Sequence, residues 1–329
     1  MLNSSSRSSR ASSQSVIALS AACSAGFLWG TGAVVVNVLI AKHGFTPENI
    51  SFWRFAVGAV ILLAIFGRRI YWQQLRPLAM TVLAAGTAMA GYVLCWFLGI
   101  EHIGAAIPTL IALCLPPVLV TIFALLRGQE TLNVQLFAVL SAALTGTILI
   151  VSRHDTGAAT TDQHELIIGV SYSLGSAILY AGFALISGRL STRLGAGQAT
   201  TCLTVVAAFV MGLSSLYRPL YWPTGIPPQA WFLYLGVVTA ALALLAFSWG
   251  AARLTPTALT VATLVEPLTA VLLAALFLGE QLGAWQWLGG FLLLFSIWGL
   301  GRRHTLPAQS VRIEVQQIGL HPQKTPKRK

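Results

Sequence analysis

Thr255–Glu280 reads TPTALTVATLVEPLTAVLLAALFLGE, an apolar run with a glutamate and a proline, Glu266 and Pro267, near its centre. About 20 mostly apolar residues suffice to cross roughly 30 Å of hydrocarbon as a helix. A carboxyl at that depth costs roughly 2.5–3.5 kcal/mol on insertion scales, so it faces protein or a cavity rather than lipid. An earlier stretch, Ala106–Glu130, reads AIPTLIALCLPPVLVTIFALLRGQE and repeats the punctuation. Shifted by 151 residues, Pro116 falls on Pro267 and Gly128 on Gly279, while Glu130 meets Glu280 with a one-residue slip. The chain therefore carries two copies of one proline-interrupted membrane helix.

Working outward, the same shift places Gly99 on Gly250, Gly44 on Gly195 and Leu28 on Leu179. It also places Gly26-xxx-Gly30 on Ala177-xxx-Ala181, and Trp29 on Tyr180. Apolar matches are cheap in so hydrophobic a chain, so the Gly, Pro and Glu matches carry the weight. Ten segments are apolar enough to span: 16–40, 50–67, 76–98, 103–126, 132–151, 166–188, 198–216, 230–250, 255–278 and 284–301. They divide as five plus five. Because five is odd, the second copy enters from the opposite side. The predicted fold is an all-α integral membrane protein of ten transmembrane helices arranged as two inverted five-helix repeats. Its parts are a Ser-rich tail (1–15), a first repeat (16–151), a loop (152–165), a second repeat (166–302) and a basic, proline-containing tail (303–329) read as disordered.

Composition agrees. The chain is 56% hydrophobic and 9% charged, with a mean hydropathy of +0.77, against roughly 25% charged in soluble domains. Lipid is its solvent. The net charge of +11 does not point to nucleic acid, because the basic residues sit singly or in pairs between apolar runs and cluster only at the end. They orient the chain instead. With the N-terminus in the cytoplasm, Arg7, Arg10, Arg68, Arg69, Arg76, Arg127, Arg189, Arg193, Arg253, Arg302 and Arg303 lie inside, and only Lys42, Arg153 and Arg218 lie outside. Lys42 and its repeat counterpart Arg193 then fall on opposite sides. Val16–Ile40 exceeds the 7–15 residues of a signal-peptide core, so the first helix is expected to be retained.

No catalytic constellation, metal cluster or cofactor motif is present in the sequence. Cys23, Cys95, Cys114 and Cys202 lie within apolar runs without metal or redox spacing. A phosphate-binding Gly-xxxx-Gly-Lys is missing, and no histidine lies in a span. A membrane-embedded enzyme would need a nucleophile–base pair or a metal cluster at depth. A sensor or scaffold would want a sizeable soluble segment. Inverted repeats, by contrast, recur in secondary transporters, which bind substrate near the midplane where the halves meet.

Several motifs resemble the EamA-type transporters of the drug/metabolite transporter superfamily. They are Trp29-Gly30, Arg54-Phe55-Ala56, Leu115-Pro116, Glu266-Pro267, and Leu278-Gly279-Glu280 followed by Trp287-Leu288-Gly289. The resemblance covers about 16–301 and departs at Arg127-Gly128-Gln129-Glu130, which puts the local register in doubt. It implies an inner-membrane protein with cytoplasmic termini that exports small metabolites or amino acids. It does not choose among substrates.

The candidate cavity residues are Trp29, Arg54, Tyr92, Trp96, Thr109, Tyr180, Trp249, Thr260 and Glu266. Arg54 and Glu266 are the ionisable residues well inside spans. Arg54 either faces inward or snorkels to the outer headgroups. Glu266 either serves the cavity as a proton or cation contact, or satisfies backbone freed by Pro267. Pro108, Pro116, Pro117, Pro256 and Pro267 are candidate kinks and gates. Gly26, Gly30, Ala177 and Ala181 are close-packing positions. The expected partners are a small-molecule substrate and membrane lipid, which the basic Lys324–Lys329 end also suits. A homodimer is the candidate assembly, and no nucleic acid is expected. A topology reporter inserted near residue 156 is expected outside and one near residue 129 in the cytoplasm, as phosphatase and fluorescent fusions would read. A cytosolic signal at 156 would remove the inverted arrangement.

Overall fold

The computed structural model describes residues 2–103, 106–151, 163–278 and 283–305. The loop 152–162, Gly279-Glu280 and the tail from 306 lie outside the described residues. Helices follow the apolar runs: α1 (Leu2–His43), α2 (Pro47–Phe66), α3 (Ala79–Ile103), α4 (Ala106–Leu126), α5 (Val134–Val151), α6 (Gln163–Leu194) and α7 (Ala196–Gly212). Next come α8 (Pro228–Ala251), α9 (Pro256–Thr263 with Val265–Leu278) and α10 (Ala284–Thr305). Eight are long and apolar enough to cross a membrane, while the apolar stretches of α5 and α10, Val134–Ile150 and Ala284–Leu300, are shorter. Those two are repeat counterparts, and at 1.5 Å per residue each still covers about 25 Å.

The Ser-rich residues ahead of the first apolar run are helical as well, and α1 starts at Leu2. No Gly or Pro interrupts Leu2–Ala25, and a helix already nucleated by a membrane span propagates at little further cost.

The chain crosses back and forth between two faces. The starts of α2 and α6 and the ends of α3 and α7 share one, here the Glu48 face. The ends of α2, α4, α6 and α8 share the other, the Arg253 face. Side-chain contacts hold the Glu48 face together: Arg218 lies 3.4 Å from Glu48 and 3.5 Å from Glu101, and His102 Nδ1 lies 2.6 Å from Glu165. Glu101 and His102 occupy the last turn of α3, which runs beyond the predicted end at 98. Since α1 starts on the Arg253 face and α6 on the Glu48 face, the two halves are inverted.

Packing is mainly between halves. α1 docks on α8 and α9 of the second half, and its counterpart α6 docks on α3 and α4 of the first. α2 meets α7 and α8, and α7 in return meets α2 and α3. α5 crosses α10 where Gly146 and Gly289 face each other. A Cβ on either glycine would come within 2.7 Å of the other's carbonyl oxygen.

The helix α9 explains how α1 fits. Pro267 has no N–H to give to the Thr263 carbonyl four residues back, and the helix breaks at Leu264. Gly26 and Gly30 lie against this break. A Cβ at Gly26 would sit 2.6 Å from the Thr263 oxygen, and one at Gly30 would sit 2.5 Å from the Glu266 oxygen. Ala177 and Ala181, their counterparts on α6, are buried.

Two expected kinks are corrected. Pro108 and Pro256 stand in the first turns of α4 and α9, where a missing N–H costs nothing. Pro256 follows the capping Thr255, whose hydroxyl accepts from the Ala258 N–H. Pro116 and Pro117 do lie inside α4, which remains continuous through them. Overpacking the α1–α9 crossing is predicted to be costly. Gly30→Leu should lower stability by about 1–3 kcal/mol, read as earlier thermal aggregation of the detergent-purified protein. Gly182→Ala, with nothing within 4 Å of the added carbon, should melt like wild type.

Candidate functional site: a charged aromatic cavity between the halves

A cavity of about 40 Å³ lies where the halves meet, space for a few water molecules. Both repeats line it: Trp29 of α1 and its counterpart Tyr180 of α6 are present, with Tyr92 and Trp96 of α3. Arg54 of α2 and Glu266 of α9 add the charge, and Ser176 and Thr239 add polar edges. Measured along their helices, Trp29, Arg54, Trp96 and Ala112 place the cavity between mid-membrane and the Glu48 face.

The backbone of α8 anchors its wall. Leu235–Leu242 is π-helical, a geometry in which hydrogen bonds run to the fifth residue and which recurs at functional sites. Within it the Thr239 carbonyl accepts from Trp29 Nε1 at 2.9 Å and, in a longer contact, from Arg54 at 3.4 Å. Tyr180 Oη is 3.0 Å from the Thr263 hydroxyl, so both aromatics are tied to helices of the second half. Ser176 donates to the Tyr92 carbonyl at 2.8 Å. Trp96 Nε1 donates to the Thr109 hydroxyl at 3.2 Å, which seats Thr109 just behind the lining.

The charges are less satisfied. Arg54 is 7% exposed and its Nε has no partner. It faces the interior and does not snorkel. Glu266 is 9% exposed, and among the described residues no hydrogen bond or ion pair reaches its carboxyl. The two face one cavity without a direct salt bridge.

Toward the Arg253 face the cavity is closed by aromatic packing. Phe183 stacks on Phe247 at 5.3 Å, Trp29 meets Phe247 at 5.5 Å and Tyr92 meets Phe183 at 5.9 Å. Thr121 of α4 donates to Thr257 of α9 at 3.2 Å, both fully enclosed. This face is sealed.

Two copies of the EamA-like transporter family pattern match the chain, over residues 16–152 and 167–302. The chain belongs to the EamA-like transporter family. It is 28% identical over 287 residues to an uncharacterized transporter of Bacillus subtilis (strain 168), YwfM, covering 83% of this chain and 90% of that protein. A shorter match, 35% over 65 residues, joins 20% of the chain to 83% of the putative permease-like protein YdzE of the same organism. A crystal structure at 20% identity superposes with a TM-score of 0.72 over 90% of this chain and 100% of that one. At that identity it shows a shared fold. The protein is a multi-pass membrane transporter.

Within this EamA-like frame, two sequence candidates fall away from the cavity. Trp249 lies under Arg253, whose guanidinium stands 3.9 Å from its ring centre. Thr260 turns its hydroxyl back onto the Pro256 and Thr257 carbonyls of its own helix. Depth explains both: each lies nearer the Arg253 face than the lining residue of its own helix, Thr239 on α8 and Glu266 on α9. Sequence reasoning missed Thr239, whose role rests on a carbonyl, and Ser176, four residues before Tyr180. The spacing of Ser176 from Tyr180 was the one available signal. Trp29→Phe, which removes the bond to Thr239 while keeping the ring against Phe247, should cost about 1 kcal/mol. Trp29→Ala should cost about 3–5 kcal/mol. Paired thermal melts check the ratio.

Proposed function

We propose that this chain is a secondary transporter that exports a small metabolite or amino acid across the inner membrane by alternating access. The observation that carries this reading is the cavity built from repeat-equivalent Trp29 and Tyr180. It is enclosed by helices of both halves and sealed toward one face. Swapping the conformations of two inverted halves exchanges which face is sealed. The excess of arginine on the Arg253 face supports a cytoplasmic assignment for that face and for both termini. The cavity would then lean outward, with Phe183, Phe247 and the Thr121–Thr257 contact as the inner gate. The volume of about 40 Å³ means that substrate enters only as the walls part. Arg54 and Glu266 supply charge without a nucleophile–base pair, which favours transport over chemistry on the substrate.

Proteoliposome counterflow tests the reading directly. A carried solute should be recovered chemically unchanged, while recovery of a converted product would point to an enzyme. Accessibility tests the cycle, in a background with Cys23, Cys95, Cys114 and Cys202 replaced. Ala33→Cys, on the lining, should react with an impermeant thiol reagent from outside. Ala258→Cys, fully buried on the sealed side, should be protected at rest and become reactive from the cytoplasmic side during turnover. Equal labelling at rest and in turnover would defeat alternating access.

A further inference from the structure

On the Glu48 side of the cavity one cation bridges two of the helices that line it. Arg218 stands in the segment between α7 and α8, and its Nη1 lies 3.4 Å from a Glu48 oxygen on α2 and 3.5 Å from a Glu101 oxygen on α3. The same two helices carry lining residues, Arg54 on α2 and Tyr92 and Trp96 on α3. Glu48 lies six residues from Arg54, and Glu101 five from Trp96. At 1.5 Å per residue both carboxylates stand about 8 Å beyond the lining, toward the Glu48 face. The two attachments of Arg218 are unequal. Its segment is also fastened to α2 through backbone: Asn49 Oδ1 accepts from the Tyr221 N–H, and Trp53 Nε1 donates to the Tyr221 carbonyl, each at 3.0 Å. The Trp222 ring meets Trp53 edge-on at 4.8 Å. Burial separates the carboxylates further, since the Glu48 side chain is 11% exposed and that of Glu101 is 43% exposed. Water can take the place of Arg218 at Glu101, whereas Glu48 without it would be a poorly solvated, unpaired charge. α3 for its part is held to α6, by packing and by His102 on Glu165.

Building on the transporter reading, we propose that Arg218 is the gating residue of the Glu48 face, a latch that stays on Glu48 and opens by releasing Glu101. Release frees α2 and the 213–227 segment to part from α3 and α6, and the walls separate where Arg54 stands opposite Tyr92 and Trp96. Arg218 is not among the lining residues, so it acts on access to the cavity and not on what the cavity holds. The two ends of the cavity are then closed by different physics. The Arg253 side is shut by stacked rings and an enclosed Thr121–Thr257 contact, and the Glu48 side by a half-exposed ion pair that parts at small cost.

The test uses the full-length protein in detergent, where both faces meet the reagent, with its four native cysteines replaced. The rate of maleimide labelling is read at Ala33→Cys on the lining and, in a separate chain, at Ala258→Cys on the sealed side. Adding Glu101→Gln should speed labelling at position 33 by about two- to fivefold, the shift that losing one half-exposed ion pair gives, and should not speed it at position 258. Glu101→Arg, which sets two cations side by side, should speed it at least as much. Combining Glu101→Arg with Arg218→Glu puts the cation on α3 between two carboxylates and should return position 33 to the starting rate. Faster labelling at both positions would mean a loosened fold and overturn the inference. So would an unchanged rate at position 33 in Glu101→Gln, or a charge-swapped pair that labels like Glu101→Arg alone. The labelling needs no solute, so it separates the two readings. Unchanged labelling beside working counterflow removes the latch alone, and the expected labelling pattern with no solute carried removes the transporter reading and leaves a latched cavity.

Discussion

The contact between α1 and the broken middle of α9 is the constraint around which the rest is arranged. Pro267 leaves the Thr263 carbonyl without its helical partner, and bare backbone at that depth must be covered by protein. Gly26 and Gly30 let α1 lie close enough to do so. Because α1 belongs to the first half and α9 to the second, covering that carbonyl locks the halves together. It also sets Glu266, one residue before the proline, at the edge of the space that remains.

That space inherits its chemistry from the same geometry. Trp29 lies within one turn of both glycines, so docking α1 on α9 brings its indole to the Thr239 carbonyl on α8. Tyr180 arrives from the opposite half at the equivalent place and reaches Thr263. The two aromatics are alike in position and unlike in bonding: one holds backbone and the other a hydroxyl. The pseudo-twofold therefore holds in topology and is broken in side chains.

Much of this was legible in the sequence. Pro116 against Pro267 and Gly128 against Gly279 gave the repeat, and an odd number of spans per repeat gave the inversion. The cost of burying ions picked out Arg54 and Glu266, and both line the cavity. Depth along a helix was less legible. Trp249 and Thr260 have the right types, but both stand nearer the Arg253 face than the cavity does, and a count along an evenly apolar run does not fix depth to within a turn or two. The π-helical stretch of α8 was not legible, since its role lies in a carbonyl and the carbonyls of all residues look alike in a sequence. Pro108 and Pro256 were read as kinks because a residue count cannot say where a helix starts to within a turn.

The exchange of first helices between halves also governs how the chain is made. Trp29 leaves the ribosome 210 residues ahead of the carbonyl that receives its N–H. Until α8 and α9 emerge, α1 sits in lipid with its glycine face uncovered and Arg54 lacks Thr239. A nascent chain stalled after its fifth helix is thus no folded intermediate but a set of separately inserted segments. Assembly of the cavity is among the last events of biogenesis, which makes late-synthesised segments, rather than early ones, the point at which quality control can sense a faulty molecule.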